Sequence, residues 1–323
     1  MVISFLESYI LDSLAFRCTI YPYSGGVNCM HDKVTISTFQ LFKLFPGQES
    51  ARKYLEGRVW AKGVKCPTCA SGDRITTRKA GYYRCNFCKL DFTVRTGTIF
   101  ERSHVPLHKW IYAMCLLVTS RKGISSLQLS KEIGITQKSA WFVLQRLREA
   151  CGNDLTLLGS IVEVDETYIG GKEKNKHKKK KLSVGRGTVG KTAVVGMGER
   201  GGRTRATSAC STEASILQAE IHEHVGYQGL DEIFYQHESI NHGAREYARD
   251  GVTTNSIESV WAVMKRGLHG VDHHASEKHL ARYVNEFTFR LNDGNVGRHT
   301  MERLGSFVDA AVGSHVTYKE LTA

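Results

Sequence analysis

Two cysteine pairs, Cys66-Pro-Thr-Cys69 and Cys85-Asn-Phe-Cys88, stand fifteen residues apart and constrain this chain more than any other feature. Two such knuckles can close four thiolates tetrahedrally around one zinc ion. Four ligands leave no open position for water, so the metal is expected to be structural. It supplies folding energy to a segment with almost no core of its own, here Val64, Ile75, Tyr83 and Phe92. The other five cysteines (Cys18, Cys29, Cys115, Cys151 and Cys210) are scattered, and the total of nine is odd. That pattern argues against a disulfide framework and for a reduced, cytoplasmic setting.

Charge narrows the partner. The chain carries 44 Lys and Arg against 32 Asp and Glu, a formal net charge of +12 over 323 residues. Such a balance points to a polyanion, nucleic acid before membrane surface. No run reaches the roughly 18 apolar residues of a membrane span, so no membrane partner is expected. The first 30 residues are apolar, but Glu7 and Asp12 interrupt them, no Lys or Arg precedes the run, and no small-residue cleavage site closes it. Secretion is not expected, and residues 1–32 are read as a leader that need not be native.

Periodicity places the remaining elements. Thr35 to Tyr54 reads as one or two short helices broken at Pro46-Gly47. Val64 to Thr98 reads as short strands and turns. Pro106 to Cys151 is helical, with Trp110, Ile111, Ala113, Met114, Leu116 and Leu117 at 3.6-type spacing. Inside it, Leu127, Leu129 and Ile133 form one apolar face, Gly134-Ile135-Thr136 a turn, and Gln137 the start of another helix. This is the outline of a helix-turn-helix. The second helix carries Gln137, Lys138, Ser139, Gln145, Arg146 and Arg148, residue types able to meet bases or phosphates. An ordinary helical hairpin with a solvated polar face would show the same pattern.

After Gly152-Asn153-Asp154 the period changes to that of strands: 160–165, 192–197 and 204–209. The run Lys172 to Lys181 reads as a loop, either simply solvated or tracking phosphates without sequence preference. Helices are expected over 212–225, 256–266 and 277–291. Alternation puts Glu163 and Asp165 on one strand face, where carboxylates inside a sheet are costly unless they hold a cation. A solvated sheet edge is the other reading. Downstream, Ser256 is a plausible N-cap for a helix bearing Glu258, Ala262, Lys265 and Arg266 on one side. A strand aspartate beside a helix glutamate supplies parts of a two-metal phosphoryl-transfer site.

The segments EVDETYIGGK, TTNSIESVWAVMKRGLHG and KHLARYVNEFTFRLN, with TVRTGTIFERSHVPLHKW and the preceding CPTC/CNFC pairs, resemble the DDE insertion-sequence transposases of the ISXO-like group. The resemblance runs from about Phe39 to Asn292, in the expected order. It implies an α/β multi-domain chain: a small zinc ribbon, a helix-turn-helix, then an RNase H-like mixed sheet flanked by helices. It further implies double-stranded DNA partners (element ends and target DNA), a homo-oligomer on DNA, and Mg²⁺ or Mn²⁺ held by acids that cleave a phosphodiester and pass the released 3′-OH to target. By motif, Asp165 is the first acid and Glu258 the third, with Asn255 the alternative third residue. Lys265 and Arg266 meet DNA, as would Gln137, Lys138 and Arg146 from the helix-turn-helix.

One departure stands out. The second aspartate of such a core closes a central strand after the helix at 212–225. Here SILQAEIHEHV runs straight into Gly226-Tyr-Gln-Gly229-Leu-Asp231, with no room for that strand near 225–229. Asp231 is only a weak substitute. The expected organisation is therefore a leader (1–32), a helical segment (33–63), a zinc ribbon (64–103), a helix-turn-helix (104–152), a catalytic domain lacking its second-aspartate strand (160–295) and a C-terminal tail (296–323). The expected function is an insertion-sequence transposase impaired or inactive in this copy. The alternative is a zinc-ribbon and helix-turn-helix regulator or repressor remnant without catalysis.

Overall fold

The computed structural model describes residues 35–322 apart from 154–155, 157, 159–160, 172–176, 178–180, 182–188, 210–253 and 295. The leader, most of the lysine run, the expected helix at 212–225 and the 225–231 junction lie outside these residues.

Helix α1 (Thr38–Leu44) starts at a capping box in which Ser37 and Gln40 satisfy each other's backbone N–H groups. Pro46-Gly47 breaks the chain, and α2 (Gln48–Val59) follows. Strands β1 (Ile75–Lys79), β2 (Tyr82–Cys85) and β3 (Asp91–Phe92) form an antiparallel sheet in the order β1-β2-β3. Trp60, Tyr83 and Phe92 pack ring against ring on it at 5.0 to 5.9 Å, a very small core beside the cysteines.

Helices α3 (Leu107–Thr119), α4 (Ser126–Ile133) and α5 (Gln137–Ala150) follow. Gly134 ends α4 at φ +60°, a left-handed conformation that glycine adopts without a Cβ clash, and Thr136 caps α5 by accepting from the Ser139 amide. The two helices and the turn expected between them are present. Its core holds Trp110, Ile111, Met114, Leu117, Leu129, Val143, Leu144 and Leu147, all buried.

That core is completed from the far end of the chain. Helix α8 (Thr300–Ala310) inserts Leu304, Phe307 and Val308 among the same residues, and Val316 O accepts from Arg146. The reading of 296–323 as a tail is thus corrected: Leu304, Phe307, Val308 and Ala311 are buried in the N-terminal helical core. The described residues belong to one compact unit.

The second sheet is β4 (Val162–Ile169), β5 (Thr192–Glu199) and β6 (Thr204–Ala209), antiparallel in that order. Among the described residues it contains no parallel pair, so the expected mixed sheet is represented here by its antiparallel strands. Helices α6 (Asn255–Gly267) and α7 (Glu277–Asn292) cover one face through Ile257, Trp261, Met264, Leu280, Val284 and Phe287 packed with Val194. A π-helical turn over Leu268–Asp272 follows α6, and a short α9 (Tyr318–Thr322) ends the described chain.

Candidate functional site

The four cysteines converge as their spacing requires. Their ligand atoms all lie within 4.8 Å of one another, with Cys66 and Cys85 buried and Cys69 and Cys88 partly exposed. Sulfur separations are 3.6 Å for Cys66–Cys88 and for Cys69–Cys85. A tetrahedron with Zn–S bonds of about 2.3 Å has edges of about 3.8 Å, so the cluster fits one zinc ion. The amides of Cys88 and Phe87 hold the Cys85 thiol down at about 7, toward the thiolate a metal takes.

The helix-turn-helix divides sharply along α5. Gln137 and Lys138 are exposed on its first turn, with the Gln137 amide donating to Ser126 Oγ at 2.9 Å and the Lys138 ammonium 5.0 Å from the Tyr318 ring centre. Arg146 is not a DNA-contacting residue. It is 3% exposed, and its guanidinium donates to the main-chain carbonyls of Ile99, Glu101 and Val316 at 2.6 to 3.1 Å. The C-terminal segment meets that side of the helix through Val316. Gln145 is buried as well. Arg148 is fully buried, donating to Glu286 Oε2 at 2.5 Å and Asp272 Oδ1 at 3.2 Å while stacked 3.8 Å from the Tyr283 ring centre. It ties α5 to α7 and to the turn that ends α6.

The acidic residues meet where β4 passes beneath the start of α6. Glu163 is 4% exposed and is fully engaged. Its Oε2 accepts from the Ser256 amide at 2.9 Å, and its Oε1 from Ser256 Oγ at 3.1 Å and from Arg200 at 3.1 to 3.2 Å. The cation expected beside this strand carboxylate is therefore Arg200, aided by the positive end of α6. Ser256 does not cap the helix as expected; Thr254 holds the N-cap position without a side-chain cap, and Glu163 supplies the acceptor from across the sheet.

Asp165, two residues on, faces the same helix. Trp261 Nε1 donates to its Oδ2 at 2.9 Å, and its other oxygen has no partner among the described residues. Glu258 lies one turn before Trp261 on α6, exposed, and accepts from Thr254 Oγ1 at 3.3 Å. Asn255 and Arg266 are exposed on the same helix, and Lys265 is half-exposed. Asp165 and Glu258 are oxygen donors of the kind Mg²⁺ takes, and such an ion commonly uses one or two carboxylates with substrate phosphates. Among the described residues no group of three carboxylates assembles. Asp231 lies outside them.

Residues 156–292 match the ISXO2-like transposase domain, and residues 46–91 match the transposase zinc-ribbon domain. Over these two segments the chain is similar to insertion-sequence transposases of the ISXO2-like kind. It is also 29% identical over 273 aligned positions to an uncharacterized protein of the transposable element ISH50 from Halobacterium salinarum, covering 77% of this chain and 92% of that one. No solved structure matches. All four cysteines fall within the zinc-ribbon match, and Asp165, Asn255, Glu258, Lys265 and Arg266 within the ISXO2-like domain. The helix-turn-helix and α8 lie between and beyond the two matches. No helix among the described residues is long and apolar enough to cross a membrane.

Sequence reasoning missed Trp261 as a partner of Asp165, Glu163 as the acceptor for α6, and Arg148 as a buried tie. One signal was available. Gly196, in the middle of TAVVGMGE, is a poor strand residue, and a strand glycine marks a close approach.

Proposed function

We propose that this chain acts in the cytoplasm as the DNA-binding transposase polypeptide of an insertion sequence, with an acidic site too incomplete to cut. The observation that carries this reading is the junction of β4 and α6, where Trp261 of the helix that bears Glu258 holds Asp165, and no group of three carboxylates assembles among the described residues.

Element ends, as double-stranded DNA, would be engaged by the zinc ribbon and by Gln137 and Lys138 on the first turn of α5. Recognition helices of this kind place their N-terminal residues on base edges. Lys265 and Arg266, beyond Glu258 on α6, would meet phosphates of the same duplex or of target DNA, and a homo-oligomer would pair two ends. A bound Mg²⁺ or Mn²⁺ supplies Lewis-acid stabilisation of the oxygens at the scissile phosphate. Asp165 and Glu258 would hold one such ion. A second ion would need an aspartate from a strand for which the sequence leaves no room near 225–229.

The regulator reading shares the DNA-binding half and differs in descent of function only: a repressor would shift an element-end duplex and compete with a full-length relative. The experiment that tests end binding and the absence of cleavage uses an element-end duplex and a scrambled duplex, read by mobility shift and, with Mg²⁺, by strand breaks. The expected result is a preferential shift of the end without nicking. Equal shifts of both duplexes would refute the end-binding assignment.

A further inference from the structure

We propose that Trp261 positions the Asp165 carboxylate for a divalent cation, and that Gly196 is kept bare so that the indole can reach it. The inference rests on the metal site proposed above and adds a residue to it. Asp165 pairs directly with Gly196 across β4 and β5. Trp261 comes from α6 and lies over that pair, 4% exposed, with its N–H 2.9 Å from Asp165 Oδ2. A Cβ at Gly196 would stand 2.3 Å from the Cζ2 and Cη2 atoms of Trp261 and 2.9 Å from Ile257 Cδ1. Contacts this short to a ring wedged in a core force the indole off the sheet. The bare position and the hydrogen bond are therefore one arrangement.

Packing alone does not account for it. A phenylalanine would bury the same apolar face against Val194, Ile257 and Met264, but it has no N–H. The donor acts on a carboxylate whose two oxygens exchange by rotation about one bond. Holding Oδ2 fixes the plane of the group and leaves Oδ1, unpartnered among the described residues, as the ligand oxygen. Partners of this kind orient metal ligands, and their loss typically weakens metal binding about 10- to 100-fold. Glu163 complements the device: by holding the Ser256 amide and hydroxyl it fixes the start of the helix that carries both Glu258 and Trp261.

The test is a Mn²⁺ titration of the full-length, zinc-loaded protein, with free Mn²⁺ read by electron paramagnetic resonance and tryptophan emission read in parallel. Trp261→Phe is expected to weaken Mn²⁺ binding about 10- to 100-fold while zinc content and the melting transition stay close to the parent's. It should also remove the Mn²⁺-dependent quenching of emission expected of the parent. If Trp261→Phe fails to fold, benzothienylalanine at position 261 keeps the ring's size and removes only the N–H, and it should show the same weakening. Parent-like Mn²⁺ affinity in either variant would overturn the positioning role alone. A parent that binds Mn²⁺ no better than Asp165→Asn would overturn the metal site itself and this inference with it.

Discussion

Replacing Arg148 by methionine should cost this protein a large part of its stability, and the cost should depend on pH. The guanidinium is 1% exposed, 2.5 Å from Glu286 and 3.2 Å from Asp272, and stacked on Tyr283. Methionine fills much of the space and carries no charge. Glu286 retains Arg290 at 3.2 Å, but Asp272 loses the ion pair it makes. Breaking a buried pair in this way costs about 3–5 kcal/mol, against total stabilities of about 5–15 kcal/mol. In a thermal melt that is a fall of roughly 6 to 10 °C. Burial already raises the Asp272 carboxyl to about 6, with Arg148 pulling it back. A carboxyl whose folded pKa exceeds its unfolded value contributes most stability below the unfolded value, near 3.8, and loses that contribution as pH rises through 6. Without Arg148 the folded value climbs further. The variant's deficit should therefore be smaller at pH 5, where Asp272 is protonated in the fold, than at pH 8. Adding Asp272→Asn should recover part of the loss at pH 8. Chemical denaturation at both pH values supplies the numbers. A loss under 1 kcal/mol, or an equal deficit at pH 5 and pH 8, would refute the reasoning.

Purified protein should hold close to one zinc per chain, and Cys88→Ser should unfold the ribbon around β1 to β3, because three thiolates forfeit much of a binding energy on the order of 10 kcal/mol; metal analysis and proteolysis of the 64–98 region check this. Affinity for an element-end duplex should fall steeply with salt, and deleting Lys174 to Lys181 should flatten that slope while sequence preference survives, since lysines that meet phosphates release counterions without reading bases. Lys138→Ala should weaken end binding in a mobility shift with little change in melting temperature. Arg146→Ala should do the reverse and lower the melting temperature, because its three main-chain acceptors would be left buried and unpaired.

Local pattern made much of the fold legible. The strand at 204–209 and the helix-turn-helix follow from period and caps, and the cysteine cluster from spacing, because each signal is written within a few residues of the element it specifies. The roles of Arg146 and Arg148 were not legible. Helical period assigns them to faces but does not say what covers those faces, and the partners come from Val316, 170 residues away, and Glu286, 138 away. Glu163 misled for the same reason: an acid on a strand asks for a cation, and only the fold shows that Arg200 and the start of α6 provide the positive charge. Helix α8 was taken for a tail because its apolar stripe is short and its core lies at the other end of the chain.

Cleavage of an element-end duplex in Mn²⁺, the more permissive ion, tests the central claim most directly. Three proteins are compared: the parent, Asp231→Ala, and a version with a strand ending in Thr-Asp-Glu inserted after Val225. Two-metal chemistry needs carboxylates on both sides of ions roughly 4 Å apart, and Asp165 with Glu258 furnish one side. The account predicts no cleavage by the first two proteins and measurable cleavage by the third. Robust cleavage by the parent, abolished by Asp231→Ala, would contradict it and show a site rebuilt around Asp231.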